Sequence, residues 1–362
     1  MQRNQPQEEI SMAPKKTKDK YRPFGIIPSQ LIKILKVAFE RGHNMLITGA
    51  PGIGKTDIVK QAALESKIAL QISHPVVKMQ QDYQGMPALT ERGAEFVPFG
   101  DLRRLLDAKE RTVMFLDDIG QARETVQAAL MQLVLERRVG EHKIPDCVSF
   151  VAATNRREHK AGVRGMLEPL KSRWVSILHL YFDIDDWLTW GYRNNLPKEI
   201  LSFAKFKPAG IGDGEPTTEF INSPSPRTLN HVAEILKADY PDKLRHKMII
   251  GAAGDAFAVE FKAFYGLYKH LPDVDKLIAM PDSFKMPTDD KGKVRQNVMY
   301  ALTGSIVSKA SDANMDKILK LTAKMPKEWQ AKTLLDIPKR LPSARMHGGL
   351  QKWFLDNKQS FI

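Results

Sequence analysis

The stretch "NMLITGAPGIGKTDIVK", residues 44 to 60, constrains the fold more than any other part of the chain. "NMLITG" is a short apolar run that leads into glycines and reads as a buried strand. After Gly54 the apolar positions Ile58, Val59, Ala62 and Ala63 follow helical spacing. Between strand and helix lies G-x-x-x-x-G-K-T, carried by Gly49, Gly54, Lys55 and Thr56. Taken alone, such a pattern also fits a glycine-rich turn before a helix. With a strand before it and a helix after it, it reads as a phosphate loop, whose backbone N–H groups turn inward around phosphate oxygens. Lys55 would reach the β and γ phosphates, and Thr56 would place its hydroxyl on Mg²⁺. Gly49, Pro51, Gly52, Ile53, Gly54, Lys55, Thr56 and Asp57 are the candidate nucleotide-binding residues of this loop.

Strand-like runs recur at "IALQI" from 68, "TVMFLDD" from 112, "CVSFVAATN" from 147 and "WVSILHLYF" from 174. Helical patterns separate them; "ETVQAALMQLVLERR" sets Val126, Leu130, Leu133 and Val134 on one side. Alternating strands and helices predict an α/β fold with a parallel sheet covered on both faces. In front of them "PSQLIKILKVAFERG" predicts a helix capped by Ser29. Beyond about 183 the strand-like runs stop, and helical patterns punctuated by Pro and Gly take over. The expected organisation is a disordered basic tail over 1–22, an α/β nucleotide-binding domain over 23–182, a helical lid over 183–269 and a helical extension over 270–362.

Three strand ends carry chemistry-bearing residues. "VMFLDD" closes on Asp117 and Asp118 at a carboxyl end, where open α/β sheets bind ligands. Asp117 would hold Mg²⁺ together with Thr56, and Asp118 would orient and polarise an attacking water. "VAATN" ends at Asn155, whose amide can donate to a γ-phosphate and accept from the water. In "GVRGMLEPLKSRW", Arg173 precedes a strand and is expected near the same edge of the sheet, where a guanidinium could stabilise charge on a transferring phosphoryl group. Arg157 and Arg164 compete for that role. Arg227, after Pro226 in "SPSPRTLNHVAEIL", falls in the first turn of a helix. A cation there opposes the helix dipole, a conflict relieved if Arg227 pairs with a phosphate.

In order, "GAPGIGKT", "FLDDIGQA", "VAATNRREH", "EPLKSRW" and "SPRTL" resemble the motifs of AAA+ ATPases, most closely the MoxR group. In that resemblance they are Walker A, Walker B, sensor 1, the arginine finger and sensor 2. "DYQGMP" and "LERRVGEHKIP" also look like MoxR-type segments, and the likeness spans about residues 25 to 240. It implies a five-stranded parallel sheet, a helical lid, ATP with Mg²⁺, and a six-membered ring in which Arg173 completes a neighbour's site and Arg227 reports nucleotide state to the lid. It also implies remodelling of a protein partner, often one with a von Willebrand factor A domain. One departure is chemical: the family usually has Glu where this chain has Asp118. The carboxylate then lies about 1.5 Å further back, one C–C bond length. A misplacement of ~1 Å can cost ~10²-fold in rate. The expectation is an active but modest ATPase; a nucleotide-gated binding module with little catalysis is the reading that Asp118 alone would support.

The formal charge of +13 favours encounters with polyanions and keeps an ATP-dependent nucleic-acid factor as the alternative. No zinc-finger spacing, H-E-x-x-H or aromatic-interleaved basic block accompanies it. His74, His142 and His159 read as solvated or structural, and Trp187 and Trp190 as packing on a lid helix. Cys147 is the single cysteine, so no internal disulfide can form and a reducing, cytoplasmic setting is expected. The N-terminus lacks an apolar signal core, and no membrane association is expected. The run from 248, "MIIGAAGDAFAVEFKAFYGLY", carries Asp255, Glu260 and Lys262 and reads as a buried or amphipathic helix. "EFVPFG", with Phe96 and Phe99, reads as a hairpin packed on its own domain, with a pore-facing loop as the other possibility.

Overall fold

The computed structural model describes residues 22–91, 93–156, 165–212, 221–238 and 240–358. The tail expected over 1–22, apart from Arg22, lies outside these residues, as do Arg157, His159 and Arg164. The chain begins with α1 (Pro28–Arg41), β1 (Met45–Gly49), α2 (Lys55–Ser66), β2 (Ala69–Ser73) and α3 (Gln81–Gln84). It continues through β3 (Met86–Thr90), β4 (Gly93–Val97), α4 (Gly100–Leu106), β5 (Thr112–Leu116) and α5 (Glu124–Leu135). Then follow β6 (Arg138–Val139), β7 (His142–Lys143), β8 (Val148–Asn155), α6 (Glu168–Lys171) and β9 (Ser176–His179).

β2, β5, β8, β1 and β9 lie side by side in that order as one five-stranded parallel sheet. This is the sheet the sequence predicts. β5 and β8 are buried along their whole length, while the edge strands β2 and β9 are partly exposed. Continuous apolar runs suit central strands because both faces are covered. The two faces separate by parity: Leu46, Met114, Leu116, Phe150 and Ala152 join one core, and Met45, Ile47, Val113, Phe115, Val151 and Ala153 the other. A side-chain period of two dictates that split. Each buried Val, Leu, Ile or Phe contributes about 1.5–3 kcal/mol, which fixes the register and so the heights of the strand ends.

After β9 the chain is helical: α7 (Ile184–Arg193), α8 (Lys198–Phe206), α9 (Pro226–Lys237), α10 (Asp242–Ala253) and α11 (Asp255–Gly266). α12 (Val274–Ala279), α13 (Gln296–Lys309), α14 (Met315–Ala323), α15 (Lys327–Arg340) and α16 (Gly348–Asp356) complete it. One apolar core runs through these helices from Trp187 to Leu350, across position 270, with Trp190 packed against it. Buried Asp336 of α15 pairs with Lys205 of α8 and with Lys339, which also reaches Asp185 of α7 at 2.7 Å. Among the described residues, no helix is long and apolar enough to cross a membrane.

Two local expectations are corrected and a third holds in part. The run from 248 is two helices, broken at Gly254, whose φ of +89° ends α10. Ser29 does not cap α1: Pro28 already occupies the first turn, and the Ser29 N–H donates instead to Asp186 of α7 at 2.7 Å. β3 and β4 do form an antiparallel hairpin, and it packs on its own domain only in part. Leu89 is 89% exposed, and Met86, Phe96 and Phe99 are exposed as well. Its Phe96 lies against the turn of the β6–β7 hairpin at Gly140.

Candidate active site

The site is assembled at the carboxyl edge of the sheet, where β5, β8 and β1 are neighbours. Register pairs Gly49 with Asn155, so the start of the loop and the end of β8 share a level. Asp117 follows β5, and its N–H donates to Ser73 O at 2.9 Å. The loop turns through Gly52 (φ +74°) and Gly54 (φ +98°) into α2. Gly54 caps α2 without a side-chain hydrogen bond. The first N–H groups of a helix have no partner within it, so this terminus suits an anion.

Lys55 is only 7% exposed. Its ammonium donates to Gly49 O at 3.2 Å, Ala50 O at 3.0 Å and Asn155 Oδ1 at 2.6 Å. Burial pushes its pKa down to about 8, against the pull of Asp118 and Asp117, with Arg227 and Arg156 adding to the fall. Thr56 Oγ1 donates to Asp117 Oδ2 at 2.6 Å. The other oxygen of Asp117 accepts the Asp118 N–H at 3.1 Å. Asp118 adopts a left-handed backbone (φ +57°), and Asn155 Nδ2 lies 3.5 Å from its Oδ1. Burial, then the neighbouring Asp117, raises the Asp118 carboxyl above its usual range, with Lys55, His74 and Arg227 opposing. Lys55, Thr56, Asp117, Asp118 and Asn155 therefore meet in one cluster, as the sequence predicts. Asp57 is exposed and lies 3.9 Å from Lys60.

Arg227 comes from the helical part. It stands in the first turn of α9, and its N–H donates to Gly52 O at 3.2 Å. A Cβ on Gly52 would come within 3.1 Å of Ser225 Oγ, so the bare glycine permits this approach of α9 to the loop.

Arg173 is elsewhere, which corrects the expectation that it shares this edge. It precedes β9, whose first residue pairs with Met45, the first residue of β1. In a parallel sheet a residue before a strand sits at the amino edge. Here that edge is about 17 Å from the loop, given the five residues of β1 at ~3.3 Å each.

Arg156 escaped the sequence reading, which weighed Arg157, Arg164 and Arg173 instead. It is 7% exposed, follows Asn155 directly and is close enough to depress the Lys55 pKa. Its position one residue beyond a candidate strand-end amide is the signal that could have found it.

This arrangement fits a triphosphate with Mg²⁺: a helix terminus with no side-chain cap, a buried ammonium, and a hydroxyl–carboxylate pair of the hard oxygen type such a cation takes. Among the described residues, no cluster of three or more His, Cys, Asp or Glu could hold a metal by itself.

No protein-family model and no curated protein matches the chain. Solved structures do. The RuvB Holliday junction branch migration motor of Thermotoga maritima is 17% identical, with TM-score 0.34, over 85% of this chain and 80% of that one. A point mutant of the same RuvB is 19% identical, with TM-score 0.38, over 70% of this chain and 80% of its own. Overlap that low adds nothing to what the strands themselves show. By sheet order, strand register and loop geometry, the chain has an α/β fold with a five-stranded parallel sheet and a glycine-rich loop between β1 and α2, followed by a helical region.

Proposed function

We propose that this protein is a MoxR-like AAA+ ATPase that binds ATP with Mg²⁺, hydrolyses it in an oligomeric ring, and uses the cycle to remodel a protein partner. The observation that carries the reading is the convergence of Lys55, Asp117 and Asn155 from separate strand ends within hydrogen-bond reach of one another or of Thr56. The amides from Gly52 to Thr56 and the Lys55 ammonium would hold the phosphates, with Thr56 and Asp117 on the metal. Bound Mg²⁺ would offset the negative charge of the phosphate oxygens. Asp118, its carboxyl held above the usual range, is suited to take a proton from water, and Asn155 to fix that water against the phosphate. Arg173 cannot serve its own loop from the opposite edge of the sheet, which suits a ring in which it completes a neighbour's site. The exposed β3–β4 hairpin and the β6–β7 hairpin touching it fall within or beside the MoxR-type segments and suit contact with a partner such as a protein with a von Willebrand factor A domain.

Binding of a fluorescent ATP analogue and steady-state phosphate release test the reading. Lys55→Ala should weaken binding by about 10- to 100-fold, the equivalent of the ~1.5–3 kcal/mol of a charged hydrogen bond. Unchanged binding in that variant would remove the phosphate loop from the account.

A second reading has its own observation. Lys317 and Lys320 on α14, Lys324 just past its end and Lys327 at the start of α15 are all exposed. Lys324 pairs with Asp282 at 2.6 Å. Such a stripe suits a nucleic-acid backbone.

A further inference from the structure

The residue after Asn155 links the phosphate side of the site to the start of the helical part. The Arg156 guanidinium donates from Nη2 to Leu180 O at 2.9 Å. Its Cζ lies 4.0 Å from the centroid of the Tyr181 ring. In strand order β1 stands between β8 and β9, so the side chain passes over the end of β1 to reach residues 180 and 181. The Leu180 N–H donates to Thr48 O at 2.7 Å, and its carbonyl lies 3.2 Å from where a Cβ on Gly49 would be. Arg22 approaches the same Tyr181 ring at 5.8 Å, and a Cβ on Gly25 would overlap that ring. The next residue, Phe182, packs against both the sheet core and the helical core. Asp183 then caps α7, accepting from the Asp186 N–H at 2.9 Å.

We propose that Arg156 is a positioning residue, a strut that converts a shift of Asn155 into a rotation of the helical body about residues 180–183. The proposal rests on the ATPase reading for its trigger. A planar guanidinium that bonds a carbonyl in its plane and packs on a ring by its face is fixed in two directions at once. It therefore transmits displacement where a single flexible contact would absorb it. Asn155 already bonds Lys55 at 2.6 Å, so what Lys55 and Asn155 touch is felt one residue away at the strut.

Hydrogen exchange of the full chain, with and without a non-hydrolysable Mg-ATP analogue, tests this. In the wild type the analogue should change exchange across α7. Arg156→Ala should bind the analogue within about threefold of wild type, yet lose the α7 response. Its kcat should fall about tenfold with little change in KM. Arg156→Lys keeps a donor for Leu180 O but not the stacked plane, and should restore only part of the response. Tyr181→Leu removes the ring from the other end and should reproduce the loss, whereas Tyr181→Phe should behave as wild type. Should Arg156→Ala fail to fold, the two Tyr181 variants decide. A wild-type α7 response in Arg156→Ala or Tyr181→Leu overturns the strut while leaving the ATPase reading intact. Absence of nucleotide binding by the wild type sinks both, and binding without any α7 response sinks the strut alone.

Discussion

Lengthening the side chain at 118 by one methylene probes the site where the sequence departs from the motif it resembles. The Asp118 carboxylate lies 3.5 Å from the Asn155 amide, at the outer limit of a hydrogen bond. Its backbone has little room to advance. The N–H is held by Asp117 at 3.1 Å, and the carbonyl accepts from Gln121 N–H at 3.0 Å. Compensation must therefore come from the side chain, and Glu reaches about 1.5 Å further. Because ~1 Å of misplacement can cost ~10²-fold, Asp118→Glu should raise kcat by up to ~10²-fold. KM should hardly move, since Asp118 is not among the residues that would hold the phosphates. Asp118→Asn should lower kcat by about 10²- to 10⁴-fold, the usual contribution of a general base, and keep nucleotide binding. Steady-state phosphate release, with Kd measured in parallel on each variant, reads both effects. A Glu variant slower than wild type would mean that the site is built to the length of Asp. An Asn variant with wild-type turnover would remove Asp118 from the chemistry altogether.

The Lys55 ammonium gives a pH signature. Its pKa is pushed down to about 8 in the free protein, and a bound polyanion favours its charged form. Binding then takes up a proton: affinity is full below that pKa and falls about tenfold per pH unit above it, until the bound-state pKa is reached. The terminal phosphate is already ionised there, so calorimetric titration from about pH 7 to about pH 9.5 isolates the lysine. A flat profile would contradict the assignment. For the α14 stripe, the double charge reversal Lys317→Glu, Lys320→Glu should lower the slope of log affinity for duplex DNA against log salt by about 2. Wild-type ATPase that is indifferent to DNA at low salt would count against the nucleic-acid reading.

The sheet was legible in the sequence because its central strands are unbroken apolar runs that stop at polar residues. Thr112 to Leu116 gives way to Asp117 and Asp118, and Val148 onward closes on Asn155. Once the strands are parallel neighbours, those endings must fall on one edge, and Lys55, Thr56, Asp117, Asp118 and Asn155 come together for that reason alone. What the sequence hid are contacts between distant segments. The cap of α1 is Asp186, 157 positions away from Ser29, and no local pattern around Ser29 announces it. The approach of Arg227 to Gly52 depends on how two bodies meet. Proximity of Arg173 to a strand carries no direction, and it is the parallel pairing of β9 with β1 that sets Arg173 at the amino edge. Arg156 was passed over because an arginine beside Asn155 looks like any loop arginine until Leu180 and Tyr181 are folded over it.

The same contacts explain why a small movement near the loop need not stay small. The helical body meets the α/β part around the phosphate loop: α9 at Gly52, α7 at the start of α1 through Asp186, and Phe182 wedged into both cores. Behind these contacts the helices share one core, and buried Asp336 ties α15 to Lys205 on α8 and, through Lys339, to Asp185 on α7. Removing one partner of a buried pair costs about 3–5 kcal/mol, so these helices resist moving independently. Compliance is then concentrated in the few residues from 180 to 183, between a rigid sheet edge and a rigid helical body. A charge that displaces Lys55 or Asn155 by a fraction of an ångström acts close to that pivot, and α14 follows through α15, which packs on α7. The geometry thus favours movement of the helical body as a unit over local rearrangement near the loop, whether the partner acted on is a protein or a polyanion.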